Sequence, residues 1–458
     1  MLFNSFEFIF FFLPFTFFVY FYLNAKKLTV LAKLYLVISS LFFYSWWNIT
    51  YLPIIIASML FNYLIGINFK KNRYKKILLS TGIALNLALL GYFKYADFFI
   101  TNFNKISDKE FDLLYLTLPL AISFFTFQQI SYLIDSYKGE IIDKDPLNYA
   151  LFVSFFPQLI AGPIVHHKEM MPQFANIKNK IKNQKNIASG VFIFSIGLFK
   201  KVIIADKFAI WANKGFENSE MLSLFEGWTT SLSYTFQLYF DFSGYCDMAI
   251  GLALIFNIKL PINFNSPYKA TNIQDFWRRW HITLSRFLRD YVYIPLGGNK
   301  KGAFRTYVNL LATFLIGGFW HGAGWTFIFW GFLHGVALVV HRFWSGLNIK
   351  INKAISWFIT FNFVNIAWIF FRAKEWDDAI NILNAMFFGD VLFQFIKDNR
   401  TNSIWVLAGI IMILSCKNSI ELLRNFKINK KTLLFTIVLL VYSLLSFNRI
   451  TEFIYFKF

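Results

Sequence analysis

Long apolar runs joined by short polar links dominate the chain. Residues Phe6 to Leu23 are almost wholly apolar, and further runs follow at about 28–46, 51–68, 77–93 and 113–135. Each is near the ~20 residues a helix needs to cross the hydrocarbon of a bilayer. A shorter piece, Leu151 to Ile164, contains Pro157 and Pro163 and reads as re-entrant or interfacial. Runs recur near 187–206, 226–256, 304–320, 323–342, 354–371, 403–416 and 432–447, while 379–397 is expected to lie along the outer surface. The pattern predicts an all-α polytopic integral membrane protein with about 11 to 12 crossings. Met1 to Phe8 carries Glu7, no Lys or Arg and no following small-residue cleavage site, so the first run is expected to be an uncleaved span.

The links give an orientation. Lys26-Lys27 and the stretch Lys70 to Lys76 are basic, whereas Asn48-Ile49-Thr50 and Ala96 to Asp112 are neutral or acidic. Basic residues collect on the cytoplasmic side. Alternation then puts both termini outside and Lys70 to Lys76, Lys168 to Lys185 and Lys417 to Lys431 in the cytoplasm, with an outside loop carrying Glu217, Glu220 and Glu226.

Composition agrees with the pattern. Hydrophobic residues make up 57% and charged residues 15%, against about 45–50% and 25% in soluble domains. The net charge of +20 would suggest nucleic acid in a soluble chain. In a many-span protein it follows from the basic cytoplasmic links, so no nucleic acid is expected. Cys246 and Cys416 have neither metal-ligand nor disulfide-framework spacing and read as packing residues; no His-Glu-x-x-His or Cys-x-x-Cys occurs, and no metal is expected.

Residues 257–306 differ from the rest, being polar, basic and rich in Pro, Gly and aromatic side chains. Within them Asp275 to Asp290 reads as one amphipathic helix, with Trp277, Trp280, Leu284, Phe287, Leu288 and Tyr291 on one face and Arg278, His281, Ser285 and Arg289 near another. An interfacial helix against lipid phosphates would have this pattern too. His321 lies between two apolar runs in Gly317-Gly-Phe-Trp-His-Gly-Ala-Gly-Trp325, where ionisable groups usually serve a pathway or a site. A neutral imidazole at that depth suits a general base for acyl transfer, as well as a hydrogen-bonded packing role. His334 is a second intramembrane histidine, structural or functional; His341 is expected at the interface, and His166-His167 solvated at the head of a basic loop. Asp241 and Asp247 fall inside an apolar run, where carboxylates need partners; Arg278, Arg279 or Arg289 are the expected ones.

Taken together, Asp241-Phe-Ser-Gly-Tyr-Cys-Asp-Met-Ala-Ile-Gly, Pro261-Ile-Asn-Phe-Asn-Ser-Pro-Tyr-Lys-Ala, Phe276-Trp-Arg-Arg-Trp-His-Ile-Thr-Leu-Ser, Asp290-Tyr-Val-Tyr-Ile-Pro-Leu-Gly-Gly and Phe319-Trp-His-Gly resemble the membrane-bound O-acyltransferase family. The nearest branch is that of the alginate and peptidoglycan O-acetyltransferases, and Phe156-Pro-Gln-Leu-Ile-Ala-Gly-Pro163 and Trp368-Ile-Phe-Phe-Arg-Ala extend the likeness over most of the chain. The resemblance implies one membrane domain over 1–458, with N-terminal spans to 150, a catalytic core over 151–345, C-terminal spans after 346 and a central tunnel.

It implies His321 as the catalytic histidine and His281 as its polar companion, assisting at the carbonyl. Arg278 and Arg279 become candidates for the phosphates of an acyl-coenzyme A donor, and Asp241, Asp247, Trp320 and His334 for tunnel structure. It further implies acetyl-coenzyme A as donor, a polysaccharide acceptor, an extracytoplasmic esterase-like acetyltransferase as partner, and a bacterial cytoplasmic membrane with its lipids as the setting. A polysaccharide transporter or flippase is the rival reading, and would be expected to show two halves with matching broken helices.

Overall fold

A computed structural model of the chain describes residues 1–69, 74–107, 109–141, 143–347, 349–391, 400–447 and 453–454; among these the regular structure is helical throughout, with no strand. The N-terminal helices are α1 (Leu13–Ala25), α2 (Thr29–Ser45), α3 (Leu52–Asn68), α4 (Lys75–Leu90), α5 (Ala96–Ser107) and α6 (Ile122–Tyr137). Next come the short α7 (Pro146–Ser154), α8 (Phe156–Leu159) and α9 (His167–Ala175), then α10 (Gln184–Phe199), α11 (Asp206–Glu217) and the long α12 (Leu224–Ile255). The remainder are α13 (Ile273–Arg279), α14 (Ile282–Leu288), α15 (Gly302–His321), α16 (Trp325–Gly346), α17 (Lys353–Arg372), α18 (Trp376–Phe388), α19 (Arg400–Ser415), α20 (Ser419–Arg424) and α21 (Lys430–Leu445).

Seven helical stretches among the described residues are long and apolar enough to cross a membrane, and α2 and α19 are shorter apolar helices. The number is lower than the 11 to 12 apolar runs, in part because α2 and α19 are shorter than a full crossing and one run is not helical along its length. The run expected to begin near 113 becomes helical only at Ile122. Before it the chain is tied to α5: the Asp97 carboxylate accepts from the backbone N–H groups of Leu114 and Tyr115, and Asn104 exchanges two hydrogen bonds with the Phe111 backbone. Those bonds satisfy part of the backbone there without helix, and Pro119 closes the segment.

The chain forms two compact units, Met1–Leu198 with Tyr245–Pro261 and Phe426–Lys457, and Phe199–Gly244 with Ile262–Asn425. In the first, Asn62 and Asn86 exchange side-chain hydrogen bonds of 3.1 and 2.6 Å between α3 and α4, the usual way two buried amides satisfy each other inside an apolar bundle. The expectation of solvated histidines at 166–167 is overturned. His166 is buried 3.6 Å from the Asp135 carboxylate of α6, and His167 is buried against Tyr132 and Phe152. Cys246 is buried as expected, whereas Cys416 is exposed.

In the second unit α15 and α16 make a hairpin of very close approach. A Cβ on Gly318 would run into the Phe327 carbonyl, and one on Gly331 into the Phe314 carbonyl. Small residues at such a contact let two helix backbones meet, the commonest packing device of membrane helices.

Candidate functional site

His321 is the last residue of α15, and four residues later Trp325 opens α16. The glycine-lined hairpin therefore brings it against α16 and α17. Its ring is buried and meets Trp320 at 4.8 Å, Trp330 at 5.1 Å and Phe371 at 5.1 Å between centroids. Trp320, placed by the sequence with tunnel structure, is thus a direct neighbour of the candidate base.

One turn along α16 from Trp330, His334 is fully buried in the same cluster, 4.9 Å from the Trp330 ring and 5.1 Å from Trp277 of α13. Trp277 Nε1 donates to His334 Nδ1 at 3.2 Å. Because Nδ1 accepts, the neutral ring carries its proton on Nε2.

The single amphipathic helix expected over 275–290 is broken. α13 ends at Arg279, and His281 sits in the left-handed region, at φ 42°, before α14 begins. A non-glycine residue held there costs about 1 kcal/mol or more and needs outside support. The preceding loop supplies it: Asn265 N–H donates to the Arg279 carbonyl and Ile282 N–H to the Asn263 carbonyl, both at 3.0 Å. Asn263 Oδ1 also accepts from the Thr283 backbone N–H at 3.1 Å and from its hydroxyl at 3.0 Å.

This pairing settles the state of His281. An atom that accepts from a backbone N–H is an oxygen, so the 3.2 Å contact between Asn263 Oδ1 and His281 Nδ1 requires the proton on Nδ1. Burial pushes the His281 imidazole well below its ordinary value, keeping it neutral. Its Nε2 therefore carries a lone pair, which can accept a hydrogen bond but not donate one. The role of donor to a carbonyl oxygen, expected from the resemblance, does not fit this tautomer. His281 packs on Phe242 at 4.8 Å; its neighbour Trp280 packs on Trp368 at 4.9 Å, and Trp368 lies against Trp330 and Phe371.

The break also re-aims the arginines. A cavity of about 740 Å³ is lined by Arg278, Arg286, Arg289 and Arg342, with His341, Trp277 and Ser285 among the rest. Arg278, Arg289 and Arg342 are exposed and Arg286 is half-buried. Arg279 is not in the lining; its Nε pairs with Asp275 at 2.9 Å. The expected partners of Asp241 are likewise corrected. Arg289 pairs with Asp290, and Asp241 pairs with Lys201 at 2.7 Å, which also reaches Asp206 at 2.9 Å. Lys201 lies in a π-helical segment, Lys200–Ala205, whose altered register turns it into the interior. Asp247 is buried in the other unit.

Sequence reasoning missed Arg286, Arg342, Asn263 and Lys201 as site or support residues. Lys201 alone had left a signal, a lysine inside an apolar run.

Comparison with known proteins follows the same residues. The sequence model described as "MBOAT, membrane-bound O-acyltransferase family" matches residues 136–374, which span the candidate site. The chain is 57% identical to a "Peptidoglycan O-acetyltransferase" of Helicobacter pylori, over 84% of this chain and 80% of that one. It is 40% identical to a "Probable alginate O-acetylase AlgI" of Pseudomonas aeruginosa, over 90% of this chain and 80% of that protein. It is 28% identical to a "Teichoic acid D-alanyltransferase" of Bacillus subtilis, over 56% and 69%.

Proposed function

Because the chain belongs to the membrane-bound O-acyltransferase family, we propose that this multi-pass acyltransferase moves acetyl from cytoplasmic acetyl-coenzyme A to a hydroxyl acceptor for O-acetylation of peptidoglycan. The setting is a bacterial cytoplasmic membrane, and an extracytoplasmic esterase-like protein delivers the group to the polysaccharide. The peptidoglycan acceptor is favoured over an alginate-like one by the 57% identity to the peptidoglycan enzyme against 40% to the alginate one.

The cavity with four arginines carries the reading of the donor. Its volume of about 740 Å³ lies within the ~300–1,000 Å³ of small-molecule sites. Guanidinium groups pair well with phosphate, and a coenzyme A donor carries several. Trp277 lines the cavity and bonds to His334, which lies in the aromatic cluster of His321, so the basic cavity borders the candidate chemistry. The positive-inside argument supports a cytoplasmic position for 257–306.

In this reading His321 accepts the proton of the attacking hydroxyl as its oxygen bonds to the acyl carbon, then returns it to the thiolate as the C–S bond breaks. His281, with its lone pair on Nε2, accepts a hydrogen bond from the incoming hydroxyl and orients it. Arg278, Arg286 and Arg342 hold phosphates; Asp241 and Lys201 hold the frame.

The experiment is deletion of the gene followed by measurement of base-labile acetate in purified peptidoglycan and in extracellular polysaccharide. Acetate should disappear from peptidoglycan and return with the wild-type gene but not with His321→Ala. Loss confined to an extracellular polysaccharide would overturn the acceptor.

A further inference from the structure

The cluster around His321 contains hydrogen-bond donors that the fold does not use. With its Nδ1 accepting from Trp277 at 3.2 Å, His334 has its proton on Nε2. That Nε2, Nε1 of Trp330 and Nε1 of Trp368 are buried and meet no acceptor among the described residues. Buried polar groups are nearly always paired, because an N–H stripped of water and given no acceptor is costly. One such group is an ordinary irregularity; three in one cluster need a reason. Trp330 joins them, 4.9 Å from His334, stacked at 5.6 Å on Trp368 and edge-on to His321 at 5.1 Å. All three groups donate. The ligand atom that suits them is an oxygen that only accepts.

We propose that Trp330 Nε1–H, Trp368 Nε1–H and His334 Nε2–H bind the carbonyl oxygen of the acyl thioester and stabilise the negative charge that develops on it. This rests on the reading of His321 as base, and it fills the place that the tautomer of His281 leaves open. As the hydroxyl oxygen bonds to the acyl carbon, its proton passes to His321 and the C=O π pair moves onto the oxygen held by the three donors. The C=O bond re-forms as the C–S bond breaks, and the departing thiolate takes the proton from His321. Preorganised donors in a dry site are worth far more than in water, since they need no reorientation as charge appears. Trp277 is a positioning residue: its N–H keeps the His334 proton on Nε2.

The test uses the full-length protein in lipid nanodiscs, with acetyl-coenzyme A, a soluble hydroxyl acceptor, and His321→Ala measured alongside. Trp330→Phe and Trp368→Phe keep an aromatic ring and delete the N–H. Each should lower kcat about tenfold to a thousandfold at nearly unchanged KM for the donor and unchanged Tm. Trp277→Phe should also lower kcat, and His334→Gln in that background should restore part of it, because an amide N–H does not depend on a tautomer. Should phenylalanine disturb packing, benzothienylalanine at position 330, which keeps the shape of indole without its N–H, gives the same readout. Wild-type kcat in both phenylalanine variants with His321→Ala inactive would overturn the donor set and leave the base assignment standing. Turnover retained by His321→Ala would overturn both. Losses confined to Tm or KM would make the cluster structural and overturn the proposal.

Discussion

Two buried polar groups in the second unit are built on opposite terms. Around Lys201 the charges are matched: the ammonium meets Asp241 at 2.7 Å and Asp206 at 2.9 Å, with Lys201 and Asp241 both buried. Around His334 the polar atoms are aromatic N–H groups: Trp277 Nε1 and His334 Nδ1 satisfy each other, whereas Nε2 of His334 and Nε1 of Trp330 and Trp368 meet no acceptor among the described residues. A buried ion pair closed on itself has nothing left to offer a substrate, and its value is in fixing which helices meet. A buried set of unsatisfied donors is a poor way to hold a fold and a good way to hold a reacting oxygen. Family motifs run through both groups, Asp241-Phe-Ser-Gly through one and Phe276-Trp and Trp368 through the other. Motif membership therefore does not separate frame from chemistry; hydrogen-bond accounting does.

The largest effect should come from His321, the proposed base beside the proposed donor set. His321→Ala should lower acetyl transfer about a hundredfold to ten-thousandfold, while donor affinity and Tm stay near wild type, as read by binding of coenzyme A and thermal unfolding of purified protein. A variant that lost Tm in step with activity would move His321 to the side of the frame.

Next in size is the ion pair. Lys201→Met leaves Asp241 buried without its cation, and breaking one side of a buried pair typically costs about 3–5 kcal/mol. The expected result is a large fall in folded protein, with turnover per folded molecule nearly unchanged. The double variant Lys201→Met/Asp241→Leu should recover most of the loss, because two apolar side chains replace a pair that had to be desolvated. If Lys201→Met instead folded normally and lost turnover, the contrast between the two groups would collapse.

A third test uses the buried histidines outside the spans. Burial holds His281 and His167 below the ordinary imidazole value, although Asp143 and Asp135 pull His167 part of the way back. A neutral histidine in the fold that would protonate in the unfolded chain leaves stability intact above the unfolded value near ~6.5 and erodes it as pH falls below that. Each pH unit below costs about 1.4 kcal/mol per histidine that must stay neutral. Tm should be level from about pH 8 to 7 and fall between about pH 6 and 5, and His281→Gln should make the fall shallower. A Tm independent of pH over that window would contradict the buried neutral state.

What could be read from the chain follows from the range of the interactions. Apolar runs mark helices because the signal is local: the runs expected at 28–46 and 51–68 are α2 (Thr29–Ser45) and α3 (Leu52–Asn68). The break at His281 was not legible, because an isolated reading of 275–290 is helical and the break depends on Asn263 bonding to Thr283. Lys201 as the partner of Asp241 was hidden for the same reason, being on another helix. The gathering of Arg286 and Arg342 with Arg278 and Arg289 required α16 to come back beside α13, which no spacing along the sequence reveals.

The smallest effect expected is at that basic cavity. Arg342 is exposed and Arg286 half-buried, so each acts partly through water, where a single ion contact is worth about 0.2–1 kcal/mol. Arg342→Gln should therefore raise the donor KM only about twofold, and Arg286→Gln, in a drier position, up to about fivefold. Neither should change kcat by more than about twofold, because an interaction made equally in ground and transition states moves KM alone. Raising ionic strength should raise the donor KM of the wild type and flatten the difference between it and the two variants, since exposed charges are screened within about 10 Å at ~0.1 M salt. Titrating acetyl-coenzyme A at two salt concentrations checks this. An unchanged KM in the Arg286→Gln/Arg342→Gln double variant would remove the phosphates from this cavity, while a fall in kcat at constant KM would place these arginines with the reacting groups.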